Sequence, residues 1–82
     1  MAVVYIPAPL QGLAGGKASI EVEGETVRQV IDNLEKACPG IREKLANSAV
    51  AVDGEITRLG LLERVSPASE IHFVMAIRGG VG

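Results

Sequence analysis

With 82 residues, 48% of them apolar and 22% charged, the chain fits one small globular domain over residues 1–82 with a single modest core. A net charge of −2, one Tyr, one Phe and no Trp exclude the basic field and the stacking platforms that nucleic-acid binding needs. One cysteine excludes an internal disulfide and any cysteine-clustered metal site.

Ala2 to Pro7 reads as the first strand, with Val4 and Ile6 on one face and Val3 and Tyr5 on the other. Its apolar run predicts a central strand covered on both faces, ended by Pro7, which has no amide hydrogen for the ladder. Pro9 to Gly16 reads as a loop closed by Gly15 and Gly16. Lys17 to Glu23 alternates as a second strand, with Ala18, Ile20 and Val22 inward and Ser19, Glu21 and Glu23 outward. Glu21, Glu23 and Glu25 form an acidic edge that discourages stray strand pairing.

Thr26-Val27-Arg28-Gln29 is a capping box opening a helix: the Thr26 hydroxyl can accept from the Gln29 amide while Gln29 reaches back. Val27, Val30, Ile31, Leu34 and either Ala37 or Cys38 then make one apolar stripe. Pro39-Gly40 ends it, since proline disfavours helical geometry at the residue before it. Ile41 to Leu45 fits one further turn with Ile41 and Leu45 inward. Ala49 to Val52 is a third strand, and Asp53-Gly54 is a hairpin turn leading to a short edge strand within Glu55 to Arg58. Leu59 to Val65 is apolar without alternation and reads as a loop or a short helical turn. Ser66 to Ser69 turns into the last strand, where Ile71 and Phe73 face the core and His72 and Val74 face away. The sum is an α+β fold: a mixed sheet of four or five strands with one main helix on one face.

No catalytic constellation stands out. His72 has no Ser or Cys at a spacing that would make a nucleophile–base pair, so it reads as part of a contact surface. Cys38 lies at a helix end with Lys36 as its nearest cation in sequence, which suits packing rather than reactivity. Gly12, Gly15 and Gly16 do not precede a helix and make no phosphate cradle. We expect no bound cofactor and no metal. No apolar run approaches the roughly 20 residues of a membrane span. Met1 to Leu10 lacks the basic start of a secretion signal, which leads us to expect a cytoplasmic protein without membrane association.

The end of the chain carries the strongest signal. Ile71, His72, Phe73, Val74, Ile77, Arg78, Gly79 and Gly80 fall on positions like those of the ubiquitin terminus, L-H-L-V-L-R-L-R-G-G. Ile6-Pro7-Ala8-Pro9-Leu10 with Gly15-Gly16, Thr26-Val27 through Leu34-Glu35 to Pro39-Gly40, and Val50 to Glu55 resemble small sulfur-carrier proteins, notably those supplying sulfur for cysteine synthesis. That wider family includes the small subunit of molybdopterin synthase, the thiamin sulfur carrier and ubiquitin. The chain departs from it at Met75-Ala76, where a Pro-Pro or Pro-Ala pair is usual, and at Ala68-Ser69-Glu70, where an acidic turn is usual. It also departs in continuing to Val81 and Gly82 beyond the Gly-Gly pair.

The resemblance implies a β-grasp, ubiquitin-like fold with a flexible tail over residues 78–82. It implies a carrier rather than an enzyme, so no residue is expected to be catalytic. A partner adenylating enzyme of the ubiquitin-activating type, using ATP and magnesium, would activate the carboxyl of Gly80. Sulfide or a persulfide would displace AMP and leave a thiocarboxylate, the thin Gly79-Gly80 tip fitting a narrow channel. His72, Val74, Met75, Ile77 and Arg78 are the expected contacts with partners, including an enzyme that accepts the sulfur. Gly80 and Val81 mark the expected processing site, cut by a zinc metalloprotease of the JAMM type. Two other readings stay open: a protein modifier joined through Gly80, and a non-conjugating interaction domain.

Overall fold

The computed structural model describes residues 1–46 and 48–75. Its strands are β1 (Ala2–Tyr5), β2 (Ser19–Val22), β3 (Ala49–Val52), β4 (Glu55–Ile56) and β5 (Glu70–Val74), with helices α1 (Val27–Ala37) and α2 (Ile41–Leu45). They form one five-stranded sheet in the order β2-β1-β5-β3-β4. β5 is central, parallel to β1 and antiparallel to β3. The outer pairs β1–β2 and β3–β4 are antiparallel hairpin partners in the sheet. A mixed sheet with its main helix on one face is the expected α+β, β-grasp arrangement.

Local chemistry explains where α1 begins. Thr26 Oγ1 accepts from the Gln29 amide at 3.2 Å, and Gln29 Oε1 accepts from the Glu25 amide at 2.9 Å. The return bond thus falls one residue earlier than in the usual capping box, and two backbone donors at the helix entry are still satisfied. Asn33 Nδ2 donates to the Glu23 carbonyl at 2.8 Å, fastening the strand exit to the helix. The turn between them is tight: a Cβ on Gly24 would lie 2.8 Å from both the backbone nitrogen and Cγ2 of Val30. Val27, Val30, Ile31 and Leu34 are buried, and Cys38 rather than Ala37 completes the stripe. The Glu35 carboxylate accepts from the Gly40 amide at 2.9 Å and the Arg42 amide at 2.8 Å. These two bonds, aided by the Arg42 charge, hold the Glu35 carboxyl below its ordinary value near 4.5 and cap α2.

The β3–β4 turn places Asp53 at φ 52° and Gly54 at φ 88°, the paired left-handed geometry of a two-residue hairpin turn. Asp53 also ties that turn to the centre of the sheet. Its amide donates to the Glu70 carbonyl at 2.8 Å, and its Oδ1 accepts from the Glu70 amide at 2.9 Å. The core lies between sheet and α1, with Val4, Val27, Val30, Leu34, Ile41 and Ile71 fully enclosed.

Several expectations change. Pro9 to Gly16 is not an open loop: Ala8–Ala14 winds into a 3₁₀ helix that buries Leu10 and Ala14 against the core. β1 stops at Tyr5, although the Ile6 amide still donates to the Ala18 carbonyl at 2.8 Å. β1 is interior but is covered fully on one face only, because Val3 and Tyr5, both half-buried, lie on the face opposite α1. Ala18, expected inward, is exposed, since regular β2 begins only at Ser19. The edge strand is limited to Glu55–Ile56, and a 3₁₀ turn occupies Gly60–Leu62.

Candidate docking face and carboxyl-terminal site

The sheet face opposite α1 is assembled by strand register. Tyr5 pairs with His72, His72 with Ala51, and Ala51 with Ile56, so these residues form one cross-strand row. Val74 lies two residues along β5, opposite Ala49. The alternation of a strand sends the neighbouring Ile71 and Phe73 into the core, where they are 0% and 8% exposed.

His72 and Tyr5 stack, with ring centroids 4.4 Å apart and planes 6° from parallel. The stack is flanked by Val74 and Ile56, 51% and 58% exposed. The face therefore offers an aromatic pair and two aliphatic side chains on rigid strands, which suits a partial, transient interface. Tyr5 and Ile56 were not singled out from the sequence. The signal for Tyr5 was its parity opposite Val4 and Ile6, which needed the β1–β5 register to gain meaning. Ile56 follows from the two-residue turn, which sets Val52 against Glu55 and Ala51 against Ile56.

Of the sequence-predicted contacts, His72 and Val74 are brought together on this face. Met75 is not: it packs half-buried against the core cluster, because the next residue along a strand turns to the other side. Ile77, Arg78, Gly79, Gly80 and Val81 lie outside the described residues, and with them the expected thiocarboxylate and processing positions.

Among the described residues, the ring neighbour of His72 is Tyr5. Cys38 is 1% exposed, and burial pushes its thiol up, partly opposed by the Lys17 charge. That cation comes from the strand-two side of the fold and was not evident from the sequence. The thiol is thus protonated and shielded, the opposite of an activated nucleophile. Among the described residues, no group of three or more His, Cys, Asp or Glu side chains could hold a metal ion. None of the described helices is long and apolar enough to cross a membrane.

The comparisons agree with this geometry. The model of the ThiS family matches residues 4–80. Among solved structures, the chain is similar to the Amycolatopsis orientalis BexX/CysO complex, with 30% identity and a TM-score of 0.89 over 98% of this chain and 100% of that one. It is also similar to Mycobacterium tuberculosis CysO, described as an antigen, with 26% identity and a TM-score of 0.87 over 94% of this chain and 100% of that one. No curated protein matches the sequence. A family match across nearly the whole chain, with a five-stranded sheet in the same fold, places this chain in the ThiS family of ubiquitin-like sulfur carriers.

Proposed function

We propose that the protein carries sulfur as a thiocarboxylate on Gly80. The observation that supports Gly80 is that the family likeness ends there, although Val81 and Gly82 follow. While those residues remain, Gly80 carries an amide carbonyl and no free carboxylate. A JAMM-type metalloprotease hydrolyses the Gly80–Val81 bond, adding water and freeing the carboxylate. A ubiquitin-activating-type enzyme then joins that carboxylate to AMP from ATP with magnesium, releasing pyrophosphate. Sulfide attacks the acyl carbon, AMP leaves, and the thiocarboxylate passes its sulfur to a biosynthetic acceptor enzyme in the cytoplasm.

The Tyr5–His72–Val74–Ile56 face docks the adenylating enzyme, with Ile77 and Arg78 continuing the contact towards the tail. One similar structure is a BexX/CysO complex, which supports a carrier that works by binding another protein. The exposed His72 and Val74 also favour a second reading, a modifier attached through Gly80 to lysines of other proteins, because these positions resemble ubiquitin.

The test gives full-length protein and a form ending at Gly80 to an adenylating enzyme with ATP and sulfide, and reads intact mass. Sulfur replacing one oxygen on the trimmed form alone is the expected result. Thiocarboxylate forming as fast on the full-length chain overturns the processing step. Adducts on other proteins select the modifier, and an unreactive trimmed form overturns both.

A further inference from the structure

Leu59, Leu61 and Leu62 are 60%, 50% and 70% exposed on and beside the Gly60–Leu62 turn. This is a built ridge. Thr57 Oγ1 accepts from the Leu59 amide at 3.1 Å and donates to the Glu63 carboxylate. The Leu62 and Glu63 amides close the turn onto the Leu59 and Gly60 carbonyls at 3.0 and 3.1 Å. Its exit is pinned to the start of α1, where the Val27 amide donates to the Glu63 carbonyl at 2.9 Å and the Val65 amide to the Glu25 carbonyl at 3.0 Å. Leucines held in water by a hydrogen-bonded turn need a reason beyond fraying.

Beside the ridge runs a groove of about 700 Å³ between α1, α2 and β3, lined by Ile31, Leu45, Val50 and Leu61. Arg28, Asp32 and Arg42 also line it. Arg42 Nη1 lies 3.5 Å from Asp32 Oδ1, whereas Arg28 has no ion partner among the described residues. The groove is therefore locally cationic in a protein of net charge −2. The ridge exposes on the order of 300 Å² of apolar surface, well short of the roughly 800 Å² per partner of a standard interface between two folded proteins. A second copy would be poorly held by it, but one short amphipathic segment matches its size. Such a segment presents apolar anchors at i, i+3, i+4 and i+7 along one face.

We propose that the Leu59–Leu62 ridge and its groove dock an acidic amphipathic helix of a partner protein, with leucine-like side chains in the groove and a carboxylate on Arg28. The site sits on the helix side of the sheet, away from His72 and Val74, so both faces can be occupied together.

The test titrates the isotope-labelled full chain with a synthetic helical peptide bearing Leu at i, i+3, i+4 and i+7 and Glu elsewhere, followed by amide shifts in NMR. Shifts should cluster at Arg28, Ile31, Leu45 and Leu59 to Leu62. Leu62→Ser, at the most exposed leucine, and Arg28→Glu should each weaken binding about tenfold, as should a peptide with Lys in place of Glu. Absence of saturable binding, equal affinity for the Lys peptide, or shifts centred on His72 and Val74 overturn the proposal. So do self-association in sedimentation that Leu62→Ser abolishes, and binding to phosphatidylglycerol vesicles that the same change abolishes.

Discussion

Leu34→Ala tests the register on which the whole helix–sheet interface depends. Leu34 is 0% exposed, on the buried stripe of α1 with Val27, Val30 and Ile31 and in one core cluster with Ile71 and Phe73. The change removes three carbons from that core, a transfer loss of about 2.4 kcal/mol at about 0.8 kcal/mol for each. The helix is tied to the sheet through Asn33 and to the 63–65 segment through Val27, so the site cannot collapse freely. A residual cavity then raises the cost to about 3–5 kcal/mol. A domain of this length has a total stability of about 4–12 kcal/mol, so the variant should lose a large share of it. Urea unfolding followed by far-UV circular dichroism at equilibrium gives the number, with an unchanged slope showing that both states keep their extent. A loss below about 1 kcal/mol would refute the proposed burial of this helix face.

Other outcomes follow from single contacts. Gly24→Ala should cost about 1–3 kcal/mol in the same assay, because its Cβ would meet the Val30 backbone nitrogen at 2.8 Å; a neutral result would mean that the turn relaxes freely. Glu35 has a folded pKa depressed by the Gly40 and Arg42 amides, so its stabilisation is present above its ordinary value near 4.5 and is lost as pH falls through the lower folded value. Glu35→Gln should therefore lower the melting temperature at neutral pH and flatten its fall in acid, whereas parallel curves for the two proteins would contradict the cap. Val74→Glu should leave the melting temperature unchanged and weaken binding to the adenylating enzyme about tenfold, since it sets a charge on the apolar flank of the proposed face. Calorimetry showing wild-type affinity would remove Val74 from that face.

Much of the fold was legible because each element is announced by a local rule with a physical cause. The Thr26–Gln29 capping pattern, the stripe from Val27 to Leu34 and the Asp53-Gly54 turn all act within a few residues of chain, and the structure contains each. What failed depended on distant packing. The Ala8–Ala14 3₁₀ helix contains Pro9 and Gly12 and is followed by Gly15 and Gly16, the residues of a loop, and forms because Leu10 and Ala14 find the core beneath them. Its Gln11 side chain also donates to the Ile6 carbonyl at 3.0 Å, a bond no periodicity foretells. Likewise His72 and Val74 could be set on the outer face by alternation alone, but Tyr5 and Ile56 joined them only through pairing across strands. Leu59 to Val65 was legible as a loop or short helical turn, but the exposure of Leu59, Leu61 and Leu62 was not, since an apolar run without alternation does not say which side faces water.

The position of β5 links the docking face to the chemistry proposed for the tail. This strand is held by β1 on one side and β3 on the other, so neither of its edges is open and a shift in register would break both ladders. Its alternation fixes His72 and Val74 outward, and a partner that grips them also grips the strand from which the tail departs. From Val74 to Gly80 the chain can span at most about 20 Å when fully extended. An enzyme docked on this face must therefore hold its adenylating centre within that reach. On the proposed function, a chain ending at Gly80 would deliver its carboxylate there. With Val81 and Gly82 attached, a β-branched residue would occupy the position of the penultimate glycine, and in the channel proposed above its stiff side chain would meet walls spaced for a backbone without Cβ. Substituting Val81→Gly in the full-length chain separates bulk from position. If bulk alone blocks activation, the variant forms a thiocarboxylate at Gly82 without trimming. If the position of the carboxylate along the tail governs, the variant stays inert until the two residues are removed.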